Sequence, residues 1–181
     1  MTRSLLVHPL PGSVGAEAMR GGVVVVIDVL RASTTIIHAL AAGASQVVAC
    51  LEIDDARAAA AALPPGEAVL GGERGGVRIE GFDLGNSPTD YTPQRVAGRT
   101  VVFTTTNGTR AMQHARLASR VYVGAPANAA AVVGRLAGAE RIHLLCAGTE
   151  NHASEDDLLV AALLVERLRR ADGRYTLSAQ A

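Results

Sequence analysis

The clearest pattern along the chain is a short β-branched apolar run, then a polar or glycine-rich turn, then an Ala/Leu-rich stretch of helical character. That is the grammar of βα units in a mostly parallel sheet. It occurs three times. Val23 to Ile27 leads through Asp28 to Arg31 into a helix predicted from Ser33 to Ala42. Val101 to Phe103 leads through Thr104 to Thr109 into a helix from Arg110 to Ala118. Ile142 to Leu145 leads through Cys146, Ala147 and Gly148 into a helix from Ser154 to Arg170. This last helix has Ser154 as its cap and Glu155, Asp156 and Asp157 in its first turn, where the helix dipole favours negative charge. Shorter strands are predicted at Gln46 to Cys50, Ala68 to Leu70 and Arg120 to Val123. Asp54 to Leu63 reads as an Ala-rich helix stopped by Pro64-Pro65-Gly66.

The expected fold is α/β, with a mostly parallel or mixed sheet between helical layers, in one domain over 1–181. An offset of 76 residues superposes the first two units, placing Val25 on Val101, Val26 on Val102, His38 on His114 and Val47 on Val123. It suggests two similar halves, about 1–97 and 98–181, although Ala and Val are common enough for such matches to arise by chance.

Composition narrows the function classes. The 181 residues, 49% hydrophobic, suffice for one substantial core without disulfides or structural metals. The 17 basic residues are all Arg and balance 17 acidic ones, which is not the charge signature of a nucleic-acid binder. With no Lys there is no Walker A loop and no Schiff-base chemistry. Cys50 and Cys146 lack metal or redox spacing and read as small buried hydrophobes. No apolar run reaches membrane-span length, and Pro and Gly interrupt the start where a signal peptide would keep its apolar core. A cytoplasmic protein with no membrane partner is expected.

The candidate chemistry lies in polar segments after predicted strand ends, the edge where open α/β sheets bind ligands. Asp28 directly follows an apolar run, where a carboxylate needs a partner such as a cation or Arg31. Helix capping is the plainer alternative, but Ser33, Thr34 and Thr35 can do that work. Thr104 to Arg110 sets hydroxyls, Asn107 and Gly108 beside a helix start, a composition suited to an anion. Gly71 to Gly76 brackets Glu73 and Arg74 with glycines, and Gly81 to Pro88 supplies Asp83, Asn86 and Ser87 in what reads equally well as a plain turn. Glu155, Asp156 and Asp157 serve equally as dipole charges or site residues. Neither a haloacid-dehalogenase aspartate pair nor a Cys-x5-Arg loop is present, since Leu30 follows Asp28 by two and His152 stands six after Cys146.

Together, VVVVIDVLRASTT at 23–35, GGERGG at 71–76, GFDLGNSP at 81–88, VVFTTTNGTRA at 101–111, CAG at 146–148 and SEDDLL at 154–159 resemble the 2-phosphosulfolactate phosphatase (ComB) family, over roughly residues 20–170. The resemblance implies a Mg²⁺-dependent hydrolase of (2R)-2-phospho-3-sulfolactate, on the route to coenzyme M, with an α/β/α fold, duplicated halves and a homodimer. Family members continue through a further α/β segment, whereas Asp172 to Ala181 reads here as a short polar tail.

Residue chemistry then suggests roles. Asp28, Glu73 and Asp156 are expected to hold Mg²⁺. Thr105, Asn107, Gly108 and Thr109 are expected to cradle the phosphoryl group, with Ser33, Thr34, Asp83, Asn86 and Glu155 as further substrate contacts. Arg31, Arg74 and Arg110 are expected to neutralise the phosphate and a second anionic group. Asp28, Arg31, Glu73, Asn107 and Arg110 form the expected catalytic set, with Asp28 as either nucleophile or metal ligand. The rival reading is a non-catalytic module that binds a phosphorylated or sulfonated metabolite.

Overall fold

The computed structural model describes residues 3–178. In chain order the elements are β1 (Arg3–His8), β2 (Val23–Ile27), α1 (Ala32–Ala41), β3 (Gln46–Ala49), α2 (Ile53–Ala61), β4 (Ala68–Arg74), β5 (Val77–Arg78) and α3 (Pro93–Val96). There follow β6 (Thr100–Thr104), α4 (Gly108–His114), β7 (Arg120–Gly124), α5 (Ala129–Leu136), β8 (Arg141–Cys146), α6 (Glu155–Ala171) and β9 (Tyr175–Ser178). They build two sheets. The larger is all parallel, in the order β7-β2-β8-β1-β9, and the smaller runs β3-β6-β4-β5 with only β5 antiparallel.

The two strongest apolar runs become the central strands. β2 (VVVVI) and β6 (TVVFT) are almost wholly buried because helices cover both of their faces, which is why they read as continuous rather than alternating. Val25, Ile27, Ile142 and Leu144 pack under α5 and α6, through Val132, Leu136, Val160, Leu164 and Leu168. The opposite face of the same sheet, Val24, Val26 and Leu145, packs on Ala111 of α4 and on Ala115 just after it. In the smaller sheet Val69, Val101 and Phe103 pack on Ile36 and Ala39 of α1, while Val102 packs on Ala56 of α2. Each sheet is therefore the middle of an α/β/α sandwich. α1 and α4 touch between the sheets, and Met112 reaches both inner clusters.

The two units related by the 76-residue offset are topologically equivalent. β2-α1-β3 starts in the larger sheet and ends in the smaller, and β6-α4-β7 makes the reverse passage. The strands they deliver pair in parallel with the other unit's first strand, Val25 opposite Tyr122 and Val101 opposite Val47. Each sheet thus draws strands from both sides of residue 97.

Three details differ from the sequence reading. Residues 175–178 of the expected polar tail form β9, the edge strand beside β1, because Tyr175 has an apolar core to enter; 179–181 lie outside the described residues. Tyr175 is 2% exposed, and its hydroxyl donates to the carbonyls of Leu136 and Ala139 at 3.0 Å each. Tyr175→Ala is expected to cost about 3–5 kcal/mol, read as a lowered midpoint in urea unfolding. The Gly71–Gly76 segment is strand as far as Arg74, and only Gly75 and Gly76, at φ 57° and 80°, make the turn into β5. Gly71 and Gly72 sit in β4 because other atoms approach there: a Cβ would lie 2.2 Å from the Tyr91 hydroxyl oxygen and 2.0 Å from the Thr104 carbonyl oxygen, respectively. The second predicted helix starts at Gly108, not Arg110, and stops at His114, after which Ser119 ties the chain to the carbonyl of Gly22. Among the described residues no helix is long and apolar enough to cross a membrane.

Candidate active site

The C-terminal ends of the central strands of both sheets face one another across a pocket of about 240 Å³. From the larger sheet come Asp28, Leu30 and Arg31 after β2 and Gly148, Thr149 and Glu150 after β8; from the smaller come Glu73, Gly75 and Gly76 around the β4–β5 turn and Thr106 and Asn107 after β6. Asn86, on the segment before α3, completes the lining. A broader depression of about 590 Å³ lies on α2 and the β4–β5 hairpin, but its lining charges are ordinary solvated ones, such as the exposed Asp54–Arg57 pair.

Asp28 is 8% exposed and fixed at both backbone and side chain. Its N–H donates to Ser33 Oγ at 2.9 Å, and its Oδ1 accepts from the N–H of Ala32 at 3.2 Å. Burial pushes the Asp28 carboxyl from an ordinary 3.8 up to about 7, and the charges of Asp157, Glu73 and Asp156 push the same way. The Ala32 N–H opposes them only in part. A carboxyl in this state calls for a cation. Its neighbour Arg31 is the one cationic side chain lining the pocket, and among the described residues it makes no hydrogen bond or ion pair.

Two further carboxylates shape the walls. Glu73, 7% exposed, accepts the N–H of Thr106 at 2.8 Å on Oε1 and that of Gly76 at 2.7 Å on Oε2, with the Thr106 hydroxyl also donating at 3.2 Å. Asp157, 2% exposed, accepts the N–H of Val29 at 2.8 Å and that of Gly148 at 3.1 Å. Burial raises the Asp157 carboxyl, and those two N–H groups partly restore its acidity. The turns after β2, β6 and β8 are thus each held by a buried carboxylate on another element.

The structure brings Asp28, Arg31, Glu73, Asn86 and Asn107 to one pocket. It disposes the other sequence-selected residues differently. Ser33 and Thr34 bond back to the turn before α1, at Asp28 N–H and the Val29 carbonyl. The Thr105 and Thr109 hydroxyls serve each other's backbone: Thr109 Oγ1 donates to the Thr105 carbonyl at 2.8 Å and Thr105 Oγ1 accepts the Thr109 N–H at 3.3 Å. Gly108 closes the space beside Asp28 without a side chain. Arg74 turns out of the pocket to the carbonyls of Glu73 and Leu51 and to Thr104 Oγ1. Asp83 accepts the N–H of Leu70 and ties the 81–88 segment to β4. Arg110 borders a neighbouring cavity of about 580 Å³ that shares Asn107. Glu155 is exposed, and Asp156 accepts from the Ser154 hydroxyl. Asp28, Glu73 and Asp156 do not converge: among the described residues no three His, Cys, Asp or Glu side chains form a metal-sized cluster.

Two residues of the site carry no distinguishing sequence signal. Thr106 is one of three adjacent threonines, and Asp157 one of three adjacent acids; only the turn geometry and the helix phase select them. Asn86 gains weight from the structure, because its buried Oδ1 has no hydrogen-bond partner among the described residues.

Comparison with known proteins gives the chain its relatives. The family model described as 2-phosphosulpholactate phosphatase matches residues 10–181. A probable 2-phosphosulfolactate phosphatase from Symbiobacterium thermophilum is 47% identical over 87% of this chain and 68% of its own length. Proteins of the same description from Caldanaerobacter subterraneus subsp. tengcongensis and a Synechococcus species are each 42% identical, over 81% and 92% of this chain and 61% and 69% of their own lengths. The chain thus spans about two thirds of the curated relatives it matches.

Proposed function

The chain belongs to the 2-phosphosulfolactate phosphatase family, whose members are named as phosphoric monoester hydrolases, and from that premise we propose that it hydrolyses (2R)-2-phospho-3-sulfolactate, or a closely related hydroxy-acid phosphate, with the help of Mg²⁺. The observation that carries the reading is the pairing, in one pocket, of a buried high-pKa carboxylate with an uncommitted guanidinium, Asp28 with Arg31. An anion binder has use for the second and none for the first.

The pocket suits Mg²⁺ in donor chemistry. Its lining holds no His or Cys, so the donors it can offer a cation are oxygens, among them the Asp28 carboxylate and the unpartnered Oδ1 of Asn86. Mg²⁺ prefers one or two carboxylates, with water and phosphate oxygens completing its shell. Asp28 and Asn86, with the outer lone pairs of Glu73, are the residues that would hold it. When bound it would supply charge neutralisation at the phosphoryl oxygens.

The protein's own part is positioning and electrostatics, the main demands of phosphoryl transfer. Arg31 neutralises phosphate charge from the α1 side, and the Asn107 amide, free of other hydrogen bonds among the described residues, orients the phosphoryl group from the α4 side. Glu73 holds the Thr106 turn still, so neither wall need reorganise during reaction. The same family reading carries homodimerisation, a cytoplasmic location and a place in coenzyme M synthesis as expectations.

The test is phosphate release from 2-phosphosulfolactate, phospholactate and phosphoglycolate, with Mg²⁺ and with EDTA. Metal-dependent release, fastest with the sulfonate, is the expected result. A folded protein that binds these esters and releases nothing is a binding module instead.

A further inference from the structure

An acidic residue in the first turn of a helix ordinarily answers the free N–H groups of its own helix. Asp157 does not. Its carboxylate leaves α6 and accepts one N–H from the turn after β2, at Val29, and one from the turn after β8, at Gly148. These turns form the larger-sheet wall of the pocket, and the first of them carries Asp28 and Arg31. The base of this clamp is rigid, because α6 runs 17 residues and drives Val160, Leu164 and Leu168 into the core under β2 and β8. At 2% exposure the carboxylate has no freedom to exchange these partners for water.

We infer that Asp157 is a positioning residue for phosphate-ester hydrolysis: it sets the separation of the 28–31 and 147–149 turns and so fixes where Asp28 and Arg31 stand against the substrate. Asp157 itself does not line the pocket. The inference rests on the phosphatase reading above, and it assigns a role to a residue that nothing in the sequence separates from its acidic neighbours. Glu73 does the equivalent work for the Thr106 turn of the smaller sheet, which gives the two walls a common construction.

Two variants separate position from charge. Asp157→Asn keeps the shape but sets an NH₂ group against one of the two backbone N–H donors. Asp157→Glu keeps the charge and moves the carboxylate by one methylene. Leu136→Ala, in α5 and fully buried, is a control that destabilises without touching α6's first turn or either clamped turn.

Each variant is made in the full chain and assayed at least about 10 °C below its own melting temperature, for kcat and KM with 2-phosphosulfolactate and for amide hydrogen exchange at Val29 and Gly148. Both Asp157 variants are expected to lose about 10- to 100-fold in kcat, with KM changed less and both amides exchanging faster, since a displacement near 1 Å suffices for a loss of that order. Leu136→Ala is expected to keep kcat within about two-fold. Full turnover in Asp157→Asn, rescue by Asp157→Glu, or an equal kcat loss in Leu136→Ala would each overturn the inference. If the unaltered protein releases no phosphate from any ester, the phosphatase reading fails. Hydrogen exchange then still decides the clamp, because unchanged protection at both amides in Asp157→Asn would overturn it.

Discussion

Asp28→Asn is expected to abolish phosphate release while making the Mg²⁺-free protein more stable at pH 8. The sign follows from linkage. In the unfolded chain the Asp28 carboxyl ionises near 3.8, whereas in the fold it holds its proton up to about 7. Well below 3.8 it is neutral in both states and carries no penalty. As pH rises toward 7 the unfolded state releases the proton and the folded state keeps it, so stability declines, and above 7 the folded state bears a buried charge. A shift of about three units corresponds to about 4 kcal/mol, of which about 2–4 kcal/mol should return in the neutral variant. Thermal melts in EDTA at pH 8 and pH 4 check this: the variant should melt higher at pH 8 and close to the parent at pH 4. Added Mg²⁺ should raise the melting temperature of the parent and leave that of Asp28→Asn nearly unchanged, because the cation removes the same penalty only where the carboxylate exists. A variant less stable than the parent at pH 8 would mean that Asp28 is compensated within the fold.

Gly108→Ala should produce the second large effect, in the opposite sense for stability. A Cβ at 108 would lie 2.5 Å from the Cβ of Ala32 and 2.7 Å from Asp28 Oδ2. Neither neighbour yields readily: Ala32 has no side-chain torsion and is fully buried in the first turn of α1, and the Asp28 carboxylate is held by the Ala32 N–H while Ser33 holds its backbone. α4 must therefore back away from α1, opening the layer between the two sheets. The expected loss is about 1–3 kcal/mol in stability. Turnover should fall by about 100-fold, because the moved helix carries the Asn107 wall away from Arg31. Gly134→Ala is the matched comparison. Its added Cβ meets nothing within 4 Å on α5, so it should gain about 0.5–1 kcal/mol from helix propensity with unchanged turnover. Urea unfolding and the phosphate assay read both variants together.

Much of the molecule was legible along the chain. Val23 to Ile27 and Val101 to Phe103 announce buried strands because an unbroken run of β-branched or aromatic residues, without polar alternation, is satisfied with helices on both faces. Asp28 announces a site because a carboxylate directly after such a run cannot lie in the core without a partner. What local pattern does not carry is partner choice between distant segments. The passage of β2-α1-β3 from one sheet to the other, with β6-α4-β7 returning, depends on strand pairing across some 50 to 100 residues and leaves no local trace. β9 was lost for the same reason: YTLS is polar enough for a tail until Tyr175 finds its cavity.

At the candidate site the sequence marked the segments that meet at the pocket, and the tertiary structure decided which of their side chains line it. Successive helical residues point about 100° apart, so among Glu155, Asp156 and Asp157 only the last turns inward to Val29 and Gly148. In the turn after β6, Thr105 and Thr109 close on each other and leave Thr106 to Glu73. Arg74 follows a strand rather than a loop, and alternation sends it away from Glu73 toward the Leu51 carbonyl. Composition placed these residues together, and a rotation of a single residue, fixed only by packing, divided those that line the pocket from those that hold its walls.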